Sequence, residues 1–252
     1  MAKALRSRVD KLVVERGLAD SREKARRLIL AGEVLVDEAL VDKPGSLVRA
    51  DAEIRLRRPQ KTFVGRGGEK LSGAIDALGL DPAGLFALDV GSSTGGFTDC
   101  LLQRGARAVT ALDVGKGQLD WKLYSDPRVR VIEGVNARYL DPGDFPEPFD
   151  LATLDLSFIS LTKVLPAVVP LVKPEGMLLM LVKPQFELRP EDIERGGLVR
   201  DEGKHREAIA SVTRAAEGLA LRIAGVVPSP IRGATGNQEY FLLARRPRLR
   251  LR

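Results

Sequence analysis

No stretch of this chain constrains its fold more than Leu85–Asp99, which reads LFALDVGSSTGGFTD. The apolar run Leu85–Val90 has strand character and carries one acid, Asp89, before it breaks into Gly91, Ser92, Ser93, Thr94, Gly95 and Gly96. After Phe97 and Thr98, the run DCLLQRGA has a helical pattern with leucines at 101 and 102. Strand, glycine-rich turn and helix make the first unit of a doubly wound α/β domain, whose ligands sit at the carboxyl edge of the sheet. Small residues there let the backbone approach a ligand closely. The turn lacks the Lys-Ser/Thr pair of a phosphate-cradling Walker sequence and the G-x-G-x-x-G spacing of dinucleotide enzymes. An acid followed by small residues suits a nucleoside with a cationic amino-acid tail, which points to S-adenosylmethionine. A tight turn without a ligand is the plainer alternative.

The pattern repeats downstream. ARAVTALDV (106–114) and RVRVIEG (128–134) read as strands, the second followed by Asn136-Ala137. FDLATLDLS (149–157) and MLLMLV (177–182) add two more, the last leading directly into Lys183-Pro184. Asp113 lies 24 residues beyond Asp89, close to the spacing at which an acid reaches a ribose hydroxyl. Asp89, Asp113, Asp155 and Lys183 all fall at or near strand carboxyl ends, where open α/β sheets bind and react. The polar, glycine-containing run QFELRPEDIERGGLVRDEGKH is expected to cover the site as a loop. A helix over 204–218 follows, and RIAGVVPSPIRGATGNQEYFLLARR reads as an antiparallel hairpin with Glu239 near the start of its last strand. Upstream, Gly65, Gly67 and Gly68 read as a flexible lead-in to a helix striped by Leu71, Ala74, Ile75 and Leu78, with Lys70 near its start. The fold class is therefore α/β, a largely parallel Rossmann-like sheet, preceded by a small α+β domain.

That leading part is basic. Residues 3–27 hold nine Lys/Arg against four acids. Val9, Leu12 and Val13 are helically spaced, and Ser21 N-caps a second helix with Ala25, Leu28 and Ile29 inward. Gly32 ends it, and EVLVDEALVDKPGSLV reads as two short strands around a turn. A basic helical face on a small sheet is either a nucleic-acid-binding module or a merely solvated surface. The order Arg8-Val-Asp10, Gly17-Leu-Ala-Asp-Ser21-Arg22, Ala25, Leu28-Ile29, Ala31-Gly32, Val34-Leu-Val36 and Lys43-Pro44 resembles the RNA-binding domain named after ribosomal small-subunit protein four. The resemblance implies RNA contacts from Arg6, Arg8, Arg22, Lys24, Arg26 and Arg27. It departs at Asp37-Glu38, where that family commonly has Asn-Gly, so the turn type is open. The expected division is residues 1–58, a linker over 59–64, and a second domain over 65–252.

Composition narrows the classes. A net charge of +6 fits an anionic partner. The single cysteine, Cys100, excludes an internal disulfide and any cysteine-based metal cluster, and it reads as packing. The single histidine, His205, removes most zinc sites and reads as a surface helical residue. No metal is expected. The start shows no apolar signal region and no run is long enough to span a bilayer, so a cytoplasmic protein is expected. Trp121 and Phe158 are aromatic residues that either stack on a base or pack. The basic end, RRPRLRLR, either touches phosphate or is disordered.

Beyond the first domain, GRGGEKL (65–71), LDVGSSTGGFTDCLL (88–102), DVGKGQL (113–119), DLSFISL (155–161), LVKPQFE (181–187) and SPIRGATGNQEY (229–240) resemble the TlyA family, whose catalytic domain is FtsJ-like. Ser92 and Leu188-Arg189-Pro190 depart from the family pattern. The resemblance implies a Lys–Asp–Lys–Glu tetrad at Lys70, Asp155, Lys183 and Glu239, and an RNA ribose 2′-O-methyltransferase that uses S-adenosylmethionine. Asp89, Gly91–Gly96 and Phe97 would meet the methionine end, Asp113 and Val114 the ribose, and Asn136 and Ala137 the adenine. A ribose hydroxyl must lose its proton as it attacks, and a lysine serves only as the neutral amine. Lys183 is therefore the expected base, Lys70 the neighbouring ammonium that lowers its pKa, and the two carboxylates orient the amines. The implied partners are ribosomal RNA and ribosomal subunits, with cytidine in 16S and/or 23S rRNA as target. A non-catalytic ribosome-assembly factor and a haemolysin-like membrane-active protein are the competing classes.

Overall fold

The computed structural model describes residues 5–57 and 62–248, and the chain divides into two compact units between Lys61 and Thr62. The polar break at Arg58–Lys61 and the end of the basic tail thus lie outside the described residues. Among those residues no helix is long and apolar enough to cross a membrane.

In the first unit, β1 (Arg6–Arg8) leads into α1 (Val9–Glu15) and α2 (Arg22–Leu30). The Ser21 hydroxyl accepts the Lys24 amide at 3.2 Å, as its N-cap role requires. Four short strands follow: β2 (Val34–Val36), β3 (Ala39–Leu40), β4 (Leu47–Arg49) and β5 (Ile54–Leu56). All the pairings are antiparallel: β2 lies between β3 and β5, and β1 pairs with β4. The run 33–48 was expected to give two strands. It gives three, because Lys43–Ser46 turns the chain back so that β4 pairs with the N-terminal segment. Asp37 and Glu38 both take positive φ, 46° and 64°, so the turn is of the primed kind that a right-handed hairpin demands even without Asn-Gly. Its strain is offset by side-chain bonds: Asp37 accepts the Glu53 amide at 2.8 Å, and Glu38 pairs with Arg55.

The centre of this unit holds one charge. Asp10 is fully buried and accepts hydrogen bonds from Arg8 at 3.0 and 2.8 Å and from Arg22 at 3.1 Å. Chiefly through the Arg8 bonds, its carboxyl is held down at about 2. Stability from this ion cluster is present above the ordinary aspartate pKa and is lost as pH falls towards 2. Because both arginines are half-exposed, the contribution is about 1 kcal/mol. Urea titrations between pH 5 and pH 2 should show this loss in the wild type and a smaller one in Asp10→Asn.

In the second unit, α3 (Arg66–Leu78) precedes β6 (Phe86–Val90), α4 (Gly96–Gln103), β7 (Ala108–Asp113), α5 (Trp121–Tyr124) and β8 (Val129–Glu133). Then come β9 (Phe149–Leu154), α6 (Leu165–Val168), β10 (Val172–Val182), α7 (Pro184–Glu187), α8 (Glu202–Gly218), β11 (Arg222–Pro228) and β12 (Tyr240–Arg245). The seven-stranded order is β11-β12-β10-β9-β6-β7-β8, parallel from β10 to β8, with β12 antiparallel to both of its neighbours. Strand order reverses between β6 and β9, and that switch point places a crevice beyond their carboxyl ends.

Alternating residues separate two cores. Leu88, Val90, Leu178, Met180 and Leu242 face α6 and α8, whereas Ala87, Leu179, Leu181 and Phe241 face α3 and α4. The glycines at 65–68 are not a flexible lead-in. Gly65 is the N-cap of α3, and Gly67 and Gly68 lie in its first turn. They are small because another helix lies against them: a Cβ on Gly96 would stand 2.9 Å from the Gly68 amide nitrogen and 3.1 Å from the Gly67 Cα.

Candidate active site

At the switch point, Gly91 turns with a φ of 86°, and a Cβ there would lie 2.4 Å from the Asp155 carbonyl oxygen. Only glycine permits both. The turn opens a cavity of about 460 Å³ lined by Gly91, Ser93, Asp113, Val114, Asn136 and Ala137, with Asp155–Ile159 opposite. A smaller cavity of about 130 Å³ shares Gly91, Ser93 and Asp155 and adds Gly67, Ser92, Thr94, Gly96 and Phe97. Asp113 accepts the Ser93 amide at 2.8 Å and the Gly115 amide at 2.7 Å. Its carboxylate thereby fixes the glycine turn from the neighbouring strand end while remaining on the cavity wall. Gln118 also lines this cavity, within 3.3 Å of the Ser93 hydroxyl. Chain order gave no sign that it would face the turn.

Four charged side chains from four elements meet at the same edge as two ion pairs. Lys70, in the second turn of α3, is 2.6 Å from Glu239, which directly precedes β12. Lys183, after β10, is 2.7 Å from Asp155 Oδ1, a contact without hydrogen-bond alignment, and donates to the Ser157 hydroxyl at 3.0 Å. Both lysines are only 8% exposed and Glu239 only 2%. Because β12 runs antiparallel, its first residue lies at the edge where its parallel neighbours end, and Tyr240 pairs with Val182. The ring of Phe158, 91% exposed with a φ of 64°, stands 5.4 Å from that of Phe186 beside this group.

Glu187 braces the floor. Its carboxylate accepts from the Ser160 hydroxyl at 2.5 Å and the Leu161 amide at 2.9 Å, and burial pushes its pKa up. It joins the segment after β10 to the segment after β9, so the two strand ends that carry Lys183 and Asp155 are fastened together. Spacing alone did not mark this residue.

Residues 63–246 match the FtsJ-like methyltransferase family, and residues 7–54 match the S4 domain. The 16S/23S rRNA (cytidine-2'-O)-methyltransferase TlyA of Mycobacterium tuberculosis is 44% identical over 96% of this chain and 91% of its own length. The chain belongs to the TlyA family of FtsJ-like methyltransferases. A Streptococcus thermophilus protein that carries the hemolysin name shares its structure at a TM-score of 0.73 and 39% identity, over 97% of this chain and 90% of that one. N-methyltransferase NodS from Bradyrhizobium japonicum, in complex with S-adenosyl-L-homocysteine, matches at a TM-score of 0.52 and 16% identity over 73% of this chain and 89% of its own, a likeness of fold.

Several residues singled out in this TlyA-family chain make contacts that local pattern did not indicate. Asp89 is fully buried on the α4 side of the sheet, where it accepts from the Thr98 hydroxyl at 2.7 Å and the Thr153 hydroxyl at 3.1 Å. Its side chain fastens α4 to the sheet, and the residue lines neither cavity. The Phe97 ring stacks on Phe241 at 5.9 Å and belongs largely to the core. The Asn136 side chain caps its own turn, accepting the Arg138 amide at 3.0 Å, while the residue remains on the cavity wall. The segment expected to cover the site lines neither of these two cavities, and only its start, Phe186 and Glu187, lies beside the tetrad. His205 is not a surface residue: it is buried between the Tyr240 hydroxyl at 3.0 Å and the Val199 carbonyl at 2.8 Å. Cys100 is packed in the core, and burial pushes its thiol up to about 12.

Burial dominates Asp89 and raises its carboxyl to about 7. An acid raised in the folded state binds a proton more tightly there than in the unfolded chain, so its contribution to stability falls as pH rises from about 4 through 7. Asp89→Asn cannot ionise. Denaturant unfolding should show the variant gaining on the wild type by about 2–4 kcal/mol between pH 5 and pH 8.

Proposed function

We propose that this protein transfers a methyl group from S-adenosylmethionine to a ribose 2′-hydroxyl of ribosomal RNA, on a cytidine of the 16S and/or 23S species. The observation that carries the reading is the pair of buried lysine–carboxylate contacts at the edge of a glycine-lined crevice. The name borne by the Mycobacterium tuberculosis relative supports the substrate class. When bound, S-adenosylmethionine supplies a methyl group on a sulfonium that leaves as a neutral thioether. The cavity over Asp113 and Asn136 has room for a nucleoside, and the smaller cavity beside Gly91–Gly96 receives an amino-acid tail without side-chain obstruction.

Lys183, in its amine form, removes the hydroxyl proton as the ribose oxygen bonds to the methyl carbon. Asp155 and Ser157 aim its nitrogen, each within 3.0 Å. Lys70, fixed by Glu239, holds the ribose and stabilises charge that develops on its oxygen. Orientation of the hydroxyl and exclusion of water supply the rest. Asp89 keeps only an indirect part, holding α4 and thereby the glycine turn.

The first unit supplies RNA affinity. Arg8 and Arg22 hold the buried Asp10, Lys24 bonds Asp20 at 2.7 Å, and Arg27 is 4.0 Å from Glu23. Arg6 and Arg26 have no such partner among the described residues and are the freest phosphate contacts of the six. A cytoplasmic location follows from this substrate.

Labelled methyl transfer to purified ribosomal subunits lacking the modification tests the reading. Wild type should methylate at least one subunit, and Lys183→Ala should lose about a hundredfold or more in rate while binding cofactor unchanged. No transfer by wild type to either subunit or to free rRNA would turn the protein into a non-catalytic rRNA-binding factor.

A further inference from the structure

The segment between Gln185 and His205 builds a second cavity on the other side of the tetrad wall. It encloses about 530 Å³ between Leu198–Arg200, the first turns of α8, and the loop that leads into β12. Arg200, Arg206 and Arg232 line it, against one lining carboxylate, Glu202. The arginines are not consumed by neutralising partners to the same degree. Arg200 pairs with Glu194 at 2.8 Å, outside the cavity lining. Arg206 has only Glu202 at 3.7 Å. Arg232 has no carboxylate in ion-pair reach among the described residues and donates one bond, to the Gly236 carbonyl at 3.1 Å. Guanidinium groups gathered in this way suit the oxygens of a phosphate.

The walls are cross-braced, so the cavity needs no ligand to form. Buried Asn237 accepts the Val199 amide at 2.9 Å and donates to the Gly197 carbonyl at 2.7 Å, tying the two loops together. The Val199 carbonyl also receives His205 Nε2, which carries a proton because a carbonyl only accepts, and Nδ1 shares a hydrogen bond with the Tyr240 hydroxyl. Tyr240 and Ile209 give the cavity an apolar side on which a sugar or base can rest. Position adds the decisive constraint. Tyr240 directly follows Glu239, and successive residues of a strand face opposite ways. Glu239 reaches Lys70 while the adjacent Tyr240 lines the second cavity, so the wall of that cavity begins one residue from the tetrad.

We propose that this cavity binds a phosphodiester of the substrate RNA, next to the nucleotide whose ribose faces Lys183. The inference rests on the reading of the protein as an RNA ribose methyltransferase. Lost phosphate contacts reduce the salt dependence of RNA binding by a known amount, about 0.7–0.9 in slope each, whether or not transfer occurs. Filter binding of unmodified rRNA across a salt series should therefore be compared for wild type, Arg206→Gln/Arg232→Gln, Arg206→Lys/Arg232→Lys and Arg214→Gln. Arg214 is an exposed residue of α8 outside the cavity and controls for loss of charge alone.

The glutamine pair should flatten the slope by about 0.7–0.9, the share of one phosphate, and raise the KM for RNA on the order of tenfold, with kcat and cofactor affinity unchanged. The lysine pair should keep the slope, and Arg214→Gln should behave as wild type. Wild-type slope and KM in the glutamine pair would overturn the proposal, as would an equal effect from Arg214→Gln. Stabilisation of wild type by free inorganic phosphate that the glutamine pair loses, without any change in RNA slope, would assign the cavity to a small anion and overturn it likewise. If wild type binds rRNA but does not methylate it, the transfer reading fails while the slopes still decide the cavity.

Discussion

Backbone lies on backbone where the start of α4 meets the start of α3, and the geometry of the crevice depends on that contact. Gly96 faces Gly65, Gly67 and Gly68 with no room for a methyl group between them. Such an approach gives up side-chain burial, and glycine costs roughly 1 kcal/mol in a helix relative to alanine. What it brings is position: α3 comes close enough to the glycine turn for Lys70 to reach over the edge of the sheet. Asp89 and Thr98 fasten the partner helix from beneath, and Phe97 and Phe241 close the space between. The same glycines that free the turn for a ligand thus also hold the two helices in contact.

The two ion pairs are the costly part of this arrangement. Removing a lysine and a carboxylate from water carries a penalty of several kcal/mol per ion, which mutual attraction offsets only in good geometry. Each pair joins elements remote in the chain, α3 to the approach to β12 and β10 to the end of β9. The surroundings leave Glu239 little freedom: a Cβ on Gly233 would lie 2.3 Å from its carboxylate oxygen. Glu187 does for the lower strands what that loop does for Glu239, joining the Ser160 turn to α7. Charges held this firmly need little reorganisation when a substrate arrives, which is the condition for electrostatic catalysis.

One loop, 229–239, serves both sides of the tetrad wall. Gly73 allows Pro230 to pack on α3, where a Cβ would stand 2.7 Å from its ring. Asn237 anchors the loop to Gly197 and Val199, and Glu239 ends it at Lys70. His205 and Tyr240 then continue the buried polar network into α8. The rigidity of the tetrad and the shape of the arginine-lined cavity consequently come from the same bonds.

The sequence by itself determined the alternation of strands and helices, the crevice at Gly91–Gly96 and the placing of Asp113, Asp155 and Lys183 near strand carboxyl ends. These follow from local physics: apolar periodicity, the backbone freedom of glycine and the chain direction of parallel strands. It also marked the basic first unit, but not that Arg8 and Arg22 would spend their bonds on Asp10. Only the tertiary structure decided that the Asp89 side chain is buried against Thr98 and Thr153, because the face of a strand residue is set by which helix covers that face. Only the tertiary structure turned a presumed covering loop into the wall of another cavity and moved His205 from the surface to the interior. Each of those outcomes depends on a contact across dozens of residues, Thr153 with Asp89, Val199 with Asn237 and Tyr240 with His205. Local pattern carries no record of such partners, since the bond forms only after the sheet has brought distant segments side by side.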